Sequence, residues 1–286
     1  MHTVWELIER DLGFRIEIRG VHGGCINHCA VLTGSVGQLF VKTNSWKNFE
    51  TFVVEERALA QMAKVGAIQA PEVCELGCIG DYSLLALEYI PMRPTRNGGC
   101  PVLGEQLARM HLAPPEEARF GWWGRNFIGA TPQINRWCDD WATFFAEQRI
   151  GFQLEFAADS GSAFAHGDRL VARIPDWLEG HEPEPSLLHG DLWSGNAGFA
   201  EDGQPAIYDP ACYYGERETD IAFTEMFGGF EPAFYSGYRS VFPLDDGYER
   251  RRDLYNLYHV LNHYNLFSDS YREQGERMIR QLLVGF

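Results

Sequence analysis

Residues 186–209 read SLLHGDLWSGNAGFAEDGQPAIYD, and they constrain the chain more than any other stretch. Leu187 and Leu188 end a short apolar strand pattern. His189-Gly190-Asp191 then opens a loop that carries Asn196 five residues after Asp191. A second β-forming run, residues 206–208, delivers Asp209 eighteen residues after Asp191 and is stopped by Pro210. These side chains suit phosphoryl transfer, in which one loop Asp orients a substrate hydroxyl while an Asn and a further Asp hold Mg²⁺. The transition state is loose, so a protein contributes mainly alignment of the nucleophile and neutralisation of phosphate charge. Carboxylate and amide oxygens are hard ligands of the kind Mg²⁺ takes. An Asp after Gly, taken alone, is an ordinary turn residue or helix N-cap. Asn196 and Asp209 in register are what make the catalytic reading of Asp191 the stronger one. His189 is expected to brace the loop by hydrogen bonding rather than to enter the chemistry.

The composition excludes several other classes. The chain of 286 residues is 45% hydrophobic, enough for one large domain or two lobes with a real core. With 24 basic and 40 acidic residues the net charge is −16, and no basic stripe appears, so a nucleic-acid backbone would be repelled. No run of about eighteen consecutive apolar residues is present, and the opening MHTVWELIERDL lacks a basic region followed by an apolar one. The cytoplasm is therefore the expected compartment, with no membrane contact. The seven cysteines, at 25, 29, 74, 78, 100, 138 and 212, are odd in number and lack paired C-x-x-C spacing, which argues against a disulfide framework or a zinc site.

Toward the N-terminus, Thr3 can cap a helix to about residue 11, and Phe14, Ile16 and Ile18 alternate with charged residues as in a half-buried strand. Gly23, Gly24 and Cys25 break the pattern before strands resume over 28–32 and 38–42. Glycines in such a hairpin let backbone N–H groups approach phosphate oxygens, although two glycines in a hairpin are equally a simple turn. Lys42 ends the apolar strand LFVK, where its ammonium could reach the α and β phosphates; the plainer reading is a snorkelling surface lysine. In the following helix, residues 48–65, Glu55 is favoured over Glu56 as its ion-pair partner because Phe52, Leu59 and Met62 bracket that face. Residues 71–77 and 82–87 read as strands that run into Glu88-Tyr89-Ile90-Pro91, a hinge whose backbone near Glu88 and Ile90 would meet an adenine edge, or a strand edge ended by proline. The domain boundary is expected near residue 92.

Beyond it the spacing predicts helices over 104–112, 131–149, 169–178, 216–227 and 248–267. Asp139 and Asp140 read as a solvated helix face. Residues 120–133, FGWWGRNFIGATPQ, suit either a sugar pocket or a packed loop. The aromatic and amide residues of 255–265 likewise fit a core stripe or a carbohydrate site. Asp220 could accept hydrogen bonds from the catalytic loop backbone.

HGDLWSGN, YDPACYYGERETD, MFGGF and LNHYNLF, with GGCIN, FVK and IGATPQINRWCDDWATFF, together resemble the fructosamine or ketosamine 3-kinase family. The resemblance runs from about residue 23 to residue 271. HGDxxxxN alone is shared with aminoglycoside phosphotransferases and choline kinases. The resemblance implies an α+β, bilobal protein-kinase-like fold. Its small N-terminal antiparallel β lobe with one main helix (1–92) would bind nucleotide, and its larger, mostly helical lobe (93–286) would carry catalysis and substrate. It further implies an ATP- and Mg²⁺-dependent kinase that phosphorylates O3 of ketosamines, on glycated small amines or glycated protein lysines, with loss of the sugar afterwards. Carried onto this chain, Asp191 is the catalytic Asp, Asn196 and Asp209 hold Mg²⁺, Lys42 contacts phosphate, Glu55 orients Lys42, and Trp193 flanks the sugar.

Cys25 stands where the family often has cysteine. A thiol on a glycine turn is expected to form a disulfide under oxidants, within one chain or between two, so the protein is expected as a monomer or a dimer. A kinase for an aminoglycoside, choline or another amino-alcohol is the alternative enzyme reading. A nucleotide-binding pseudokinase scaffold is the non-enzymatic one, and the complete set of Lys42, Asp191, Asn196 and Asp209 speaks against it.

Overall fold

The computed structural model describes residues 4–12, 17–20, 27–34, 37–94 and 101–285. Gly23, Gly24 and Cys25 lie outside the described residues. The chain divides into two compact units, residues 1–94 with 198–209, and residues 95–197 with 210–286. The expected split at residue 92 places 198–209 with the helical part, whereas their contacts group them with the first unit.

In the first unit, helix α1 (Val4–Leu12) is followed by strands β1 (Glu17–Gly20), β2 (His28–Gly34) and β3 (Gly37–Ser45), helix α2 (Phe49–Val65), and strands β4 (Val73–Ile79) and β5 (Tyr82–Glu88). The five strands form one antiparallel sheet in the order β1-β2-β3-β5-β4. Period-two alternation decides which side chains face which helix. Val41 and Ala86 pack with Val4 and Ile8 of α1. Leu85 and Leu87, one residue out of phase with Ala86, pack with Phe52 and Leu59 of α2, and Phe40 joins them. Each fully buried Leu or Phe among these contributes about 1.5–3 kcal/mol relative to exposure. Lys42 is two residues on from Phe40, so the same alternation turns it toward the α2 face. Strand β6 (Met92–Pro94) joins a small sheet with the later β10 (Ala197–Ala200) and β11 (Pro205–Ile207), in the order β11-β10-β6. The Ile207 N–H donates to Gln69 O at 2.9 Å, which ties this hairpin to the first unit just before Asp209.

The second unit opens with helix α3 (Pro101–Leu112) and a two-stranded hairpin of β7 (Asn126–Ile128) and β8 (Thr131–Gln133). Helix α4 (Trp141–Phe145) runs through a π-helical stretch, Ala146–Gly151, into α5 (Phe152–Asp159), and α6 (Gly167–Trp177) follows. Strand β9 (Ser186–Leu188) pairs with β12 (Tyr213–Gly215), and α7 (Glu218–Met226), α8 (Pro232–Val241), α9 (Tyr248–Phe267) and α10 (Arg272–Val284) complete the unit. Leu254, Leu257, Val260 and Leu261 of α9 are fully buried, so this helix is a core element.

The helix expected over 131–149 is not formed as such. Ile134, Trp137 and Trp141 recur at helical spacing, but Gln133 pairs across the hairpin with Asn126, and Phe120 bridges to Cys138 in extended backbone. The helix starts only where Asp140 caps it, its Oδ2 accepting from the Thr143 N–H at 2.6 Å. Asp139 and Asp140 are exposed as expected, but Asp140 is the N-cap of this helix rather than part of its face.

Candidate active site

Each unit carries one of the two constellations read from the sequence. In the first, β3 delivers Lys42 and α2 delivers Glu55. The Lys42 Nζ donates to Glu55 Oε1 at 2.6 Å and makes a second, short ion pair with Asp209 Oδ1. Lys42 is only 4% exposed. Burial opposes its charge, but the Asp209 and Glu55 carboxylates more than offset this and raise its pKa above that of an ordinary lysine, so it stays an ammonium. Asp209 has a φ of 57°, a left-handed backbone uncommon for a residue with a Cβ. Such strain is stored where surrounding structure over-determines it, often at functional positions.

In the second unit, β9 leads into the loop 189–196. The Asn196 Nδ2 donates to Asp191 O at 2.9 Å and to Asp191 Oδ2 at 3.2 Å, so the amide found by spacing braces the carboxylate it follows. His189 is fully buried, and the Asp191 N–H points to its Nδ1 at 3.3 Å, in the bracing position. Gly190 has a φ of 80°, and a Cβ there would lie 2.1 Å from Ala211 O, so no other residue fits this turn. Asp220, in the first turn of α7, accepts from the backbone N–H of His189 at 2.7 Å and of Gly190 at 2.9 Å. Burial alone would raise the Asp220 pKa, but the hydrogen bond and charge of His111 and the Gly190 N–H outweigh it and hold the group below its usual value. Asp220 is thus a fixed anion beneath the loop.

Trp193 is 41% exposed, and its ring covers Gly195 so closely that a Cβ there would meet it at 2.3 Å. At the end of β5 the Glu88 N–H donates to Glu72 O at 2.8 Å. Ile90 is buried.

The donor set fits Mg²⁺. One ammonium faces two carboxylates in the first unit, which leaves a net negative charge there. In the second, the Asn196 amide nitrogen is engaged with Asp191, so Oδ1 is the atom it can offer a hard cation. Among the described residues His181, Glu218 and Asp245 also place three ligand atoms within 4.8 Å of one another. There, however, Arg251 takes both Glu218 oxygens at 2.7 and 2.8 Å and Arg217 reaches Asp245 at 3.3 Å, so guanidinium groups already neutralise the cluster.

Sequence reasoning missed His111 of α3, which contacts Asp220 Oδ2 through Nε2 at 3.2 Å and Tyr238 OH through Nδ1 at 2.8 Å. A lone histidine on an apolar helix carries no local signal of partners more than a hundred residues away. The buried amides Asn126 and Gln133 were missed for the same reason.

The fold is protein-kinase-like: a thermostable mutant of the aminoglycoside phosphotransferase APH(4)-Ia superposes with a TM-score of 0.65 over 99% of both chains, at 13% identity. A candidate fructosamine-3-kinase from Haemophilus somnus 129PT superposes with a TM-score of 0.87 at 31% identity, covering 98% of this chain and 97% of that one. The fructosamine kinase family model matches residues 2–285, and the chain belongs to that family. A probable ketoamine kinase of Synechocystis is 42% identical over 98% of this chain and 96% of its own. A chloroplastic protein-ribulosamine 3-kinase of Oryza sativa subsp. indica is 39% identical over 98% of this chain and 82% of its own. Among the described residues no helix is long and apolar enough to cross a membrane.

Proposed function

We propose that the protein transfers the γ-phosphoryl group of ATP to O3 of ketosamines, on glycated small amines or glycated protein lysines, and so initiates deglycation in the cytoplasm. The observation that carries this reading is the kinship along 98% of the chain with relatives named for ketoamine and ribulosamine phosphorylation. In this reading residues 1–94 with 198–209 are the nucleotide-binding lobe and 95–197 with 210–286 the catalytic and substrate lobe. The backbone near Glu88 and Ile90 meets the adenine edge.

Asp191 accepts the hydrogen bond of the O3 hydroxyl, orients its oxygen for in-line attack and takes up its proton. Asn196 holds Asp191 in that orientation through its amide nitrogen. Lys42, kept charged by Glu55 and Asp209, meets the α and β phosphate oxygens. Asn196 Oδ1 and Asp209 are the groups that hold Mg²⁺, which when bound neutralises charge on the phosphate oxygens. Trp193 presents its exposed ring as a wall for the sugar. Nothing in the proposed chemistry calls on nucleic acid or a membrane.

The test is ADP release with Mg-ATP against ribulose-lysine, fructose-lysine, kanamycin, choline and no acceptor. Turnover on a ketosamine, on the order of 1–100 per second, is the expected result. Turnover confined to kanamycin or choline would move the protein to the amino-alcohol kinases. Nucleotide binding without turnover on any acceptor would favour a scaffold.

A further inference from the structure

The segment that follows Asp209 is gripped by side chains to which the proposed chemistry assigns no role. Ala211 and Cys212 lie just before β12, beyond the end of its ladder with β9, so a neighbouring strand does not fix their carbonyls. Two amides from the β7–β8 hairpin do. Asn126 Nδ2 donates to Cys212 O at 2.7 Å, and Gln133 Nε2 donates to Ala211 O at 3.2 Å and to Asn126 Oδ1 at 2.8 Å.

Behind each amide stands a buried donor. Tyr258 OH donates to Gln133 Oε1 at 2.7 Å. Asn135 Nδ2 donates to Asn126 Oδ1 at 2.7 Å, and Asn135 Oδ1 accepts from Arg149 at 2.7 Å. Arg149 is fully buried in the π-helical stretch with its guanidinium 3.9 Å from the centre of the Tyr213 ring. The bond to Asn135 comes from Nη2, while Nη1 donates to the carbonyls of Ile134 and Gln148, at 2.6 and 3.0 Å. The cation's field thus runs through Asn135 and Asn126 to a backbone carbonyl, and hydrogen bonds in such a chain strengthen one another. π-helical insertions recur at functional positions.

On its other side the segment meets the catalytic loop. The Ala211 N–H donates to His189 O at 2.8 Å, and Gly190 lies directly against Ala211 O. We propose that Asn126 and Gln133, backed by Arg149 and Tyr258, are positioning residues that set the placement of the catalytic loop by holding the Ala211 and Cys212 carbonyls. This rests on the reading of Asp191 as the group that orients the acceptor hydroxyl. The network touches no reacting atom, so its loss alters how productively Asp191 is placed rather than how tightly substrates bind.

Asn126→Asp keeps size and acceptor but removes the donor to Cys212 O. The expected result is a kcat lower by about tenfold or more, with KM for ATP and ribulose-lysine within about threefold of wild type. Deuterium uptake should accelerate in the peptides covering 188–213 and stay unchanged in α9. Uptake over 188–213 equal to wild type overturns the inference, and so does a kcat within about twofold of wild type in the folded variant. Should Asn126→Asp fail to fold, Tyr258→Phe removes the hydroxyl that meets Gln133 and Gln153; the same two readouts apply, with a loss in kcat of about threefold or more expected. A wild-type enzyme inactive on every ketosamine refutes the proposed function, and the exchange comparison then decides the positioning role by itself.

Discussion

Replacing Asp191 by Asn is expected to lower kcat by about 10²–10⁴-fold, the range over which a positioned acid or base acts, while leaving ATP affinity nearly intact. The fold has little reason to change. Asp191 meets Asn196 through Oδ2 at 3.2 Å and through its backbone oxygen at 2.9 Å. An asparagine turned so that its oxygen faces Asn196 keeps both contacts, and His189, Gly190 and Asp220 keep theirs. What is lost is the negative charge that draws the acceptor proton. Steady-state kinetics with a titration of ADP binding separates the two effects. A variant whose turnover stays close to wild type would show that Asp191 does not have the role assigned to it.

Lys42→Met should affect both activity and stability. Removing the ammonium takes away a donor for phosphate charge, worth on the order of 10²–10³ in kcat by analogy with other transition-state charge stabilisers. It also leaves Glu55 buried without its counterion and Asp209 facing it. Breaking a buried pair by removing one partner costs about 3–5 kcal/mol, and the lower end applies because the Asp209 side chain is 45% exposed. Adding Glu55→Gln removes the stranded charge, so the double variant should recover stability and stay inactive. Denaturant unfolding and kinetics on the wild type, Lys42→Met, Glu55→Gln and the double variant form a double-mutant cycle. Recovery of activity along with stability would mean that Lys42 serves the fold alone.

The strands around Lys42 were legible because alternation and burial agree: Phe40, Val41 and Lys42 face in turn α2, α1 and α2. Glu55 could be read from the Phe52–Leu59 spacing because α2 packs by that face. Within the loop 189–196 the pairing of Asn196 with Asp191 could be read because the two stand five residues apart. Other features depend on partners distant in sequence. Gln133 meets Tyr258 across 125 positions, and His111 meets Asp220 across 109, contacts that no window of sequence contains. The stretch 131–149 misled because its apolar residues keep a helical period while its polar ones, Gln133 in a strand and Asn135 just beyond it, are buried. The left-handed Asp209 has no signature either, since Asp ahead of Pro is unremarkable as sequence.

The most direct test of the central claim is the position of the transferred phosphate. With Mg-ATP and ribulose-lysine, phosphorus–proton correlation NMR of the fresh reaction should show a phosphoester on O3, followed by loss of the sugar from the amine. A phosphate on any other hydroxyl, or ribulose-lysine left unmodified while kanamycin or choline is phosphorylated, would contradict the account.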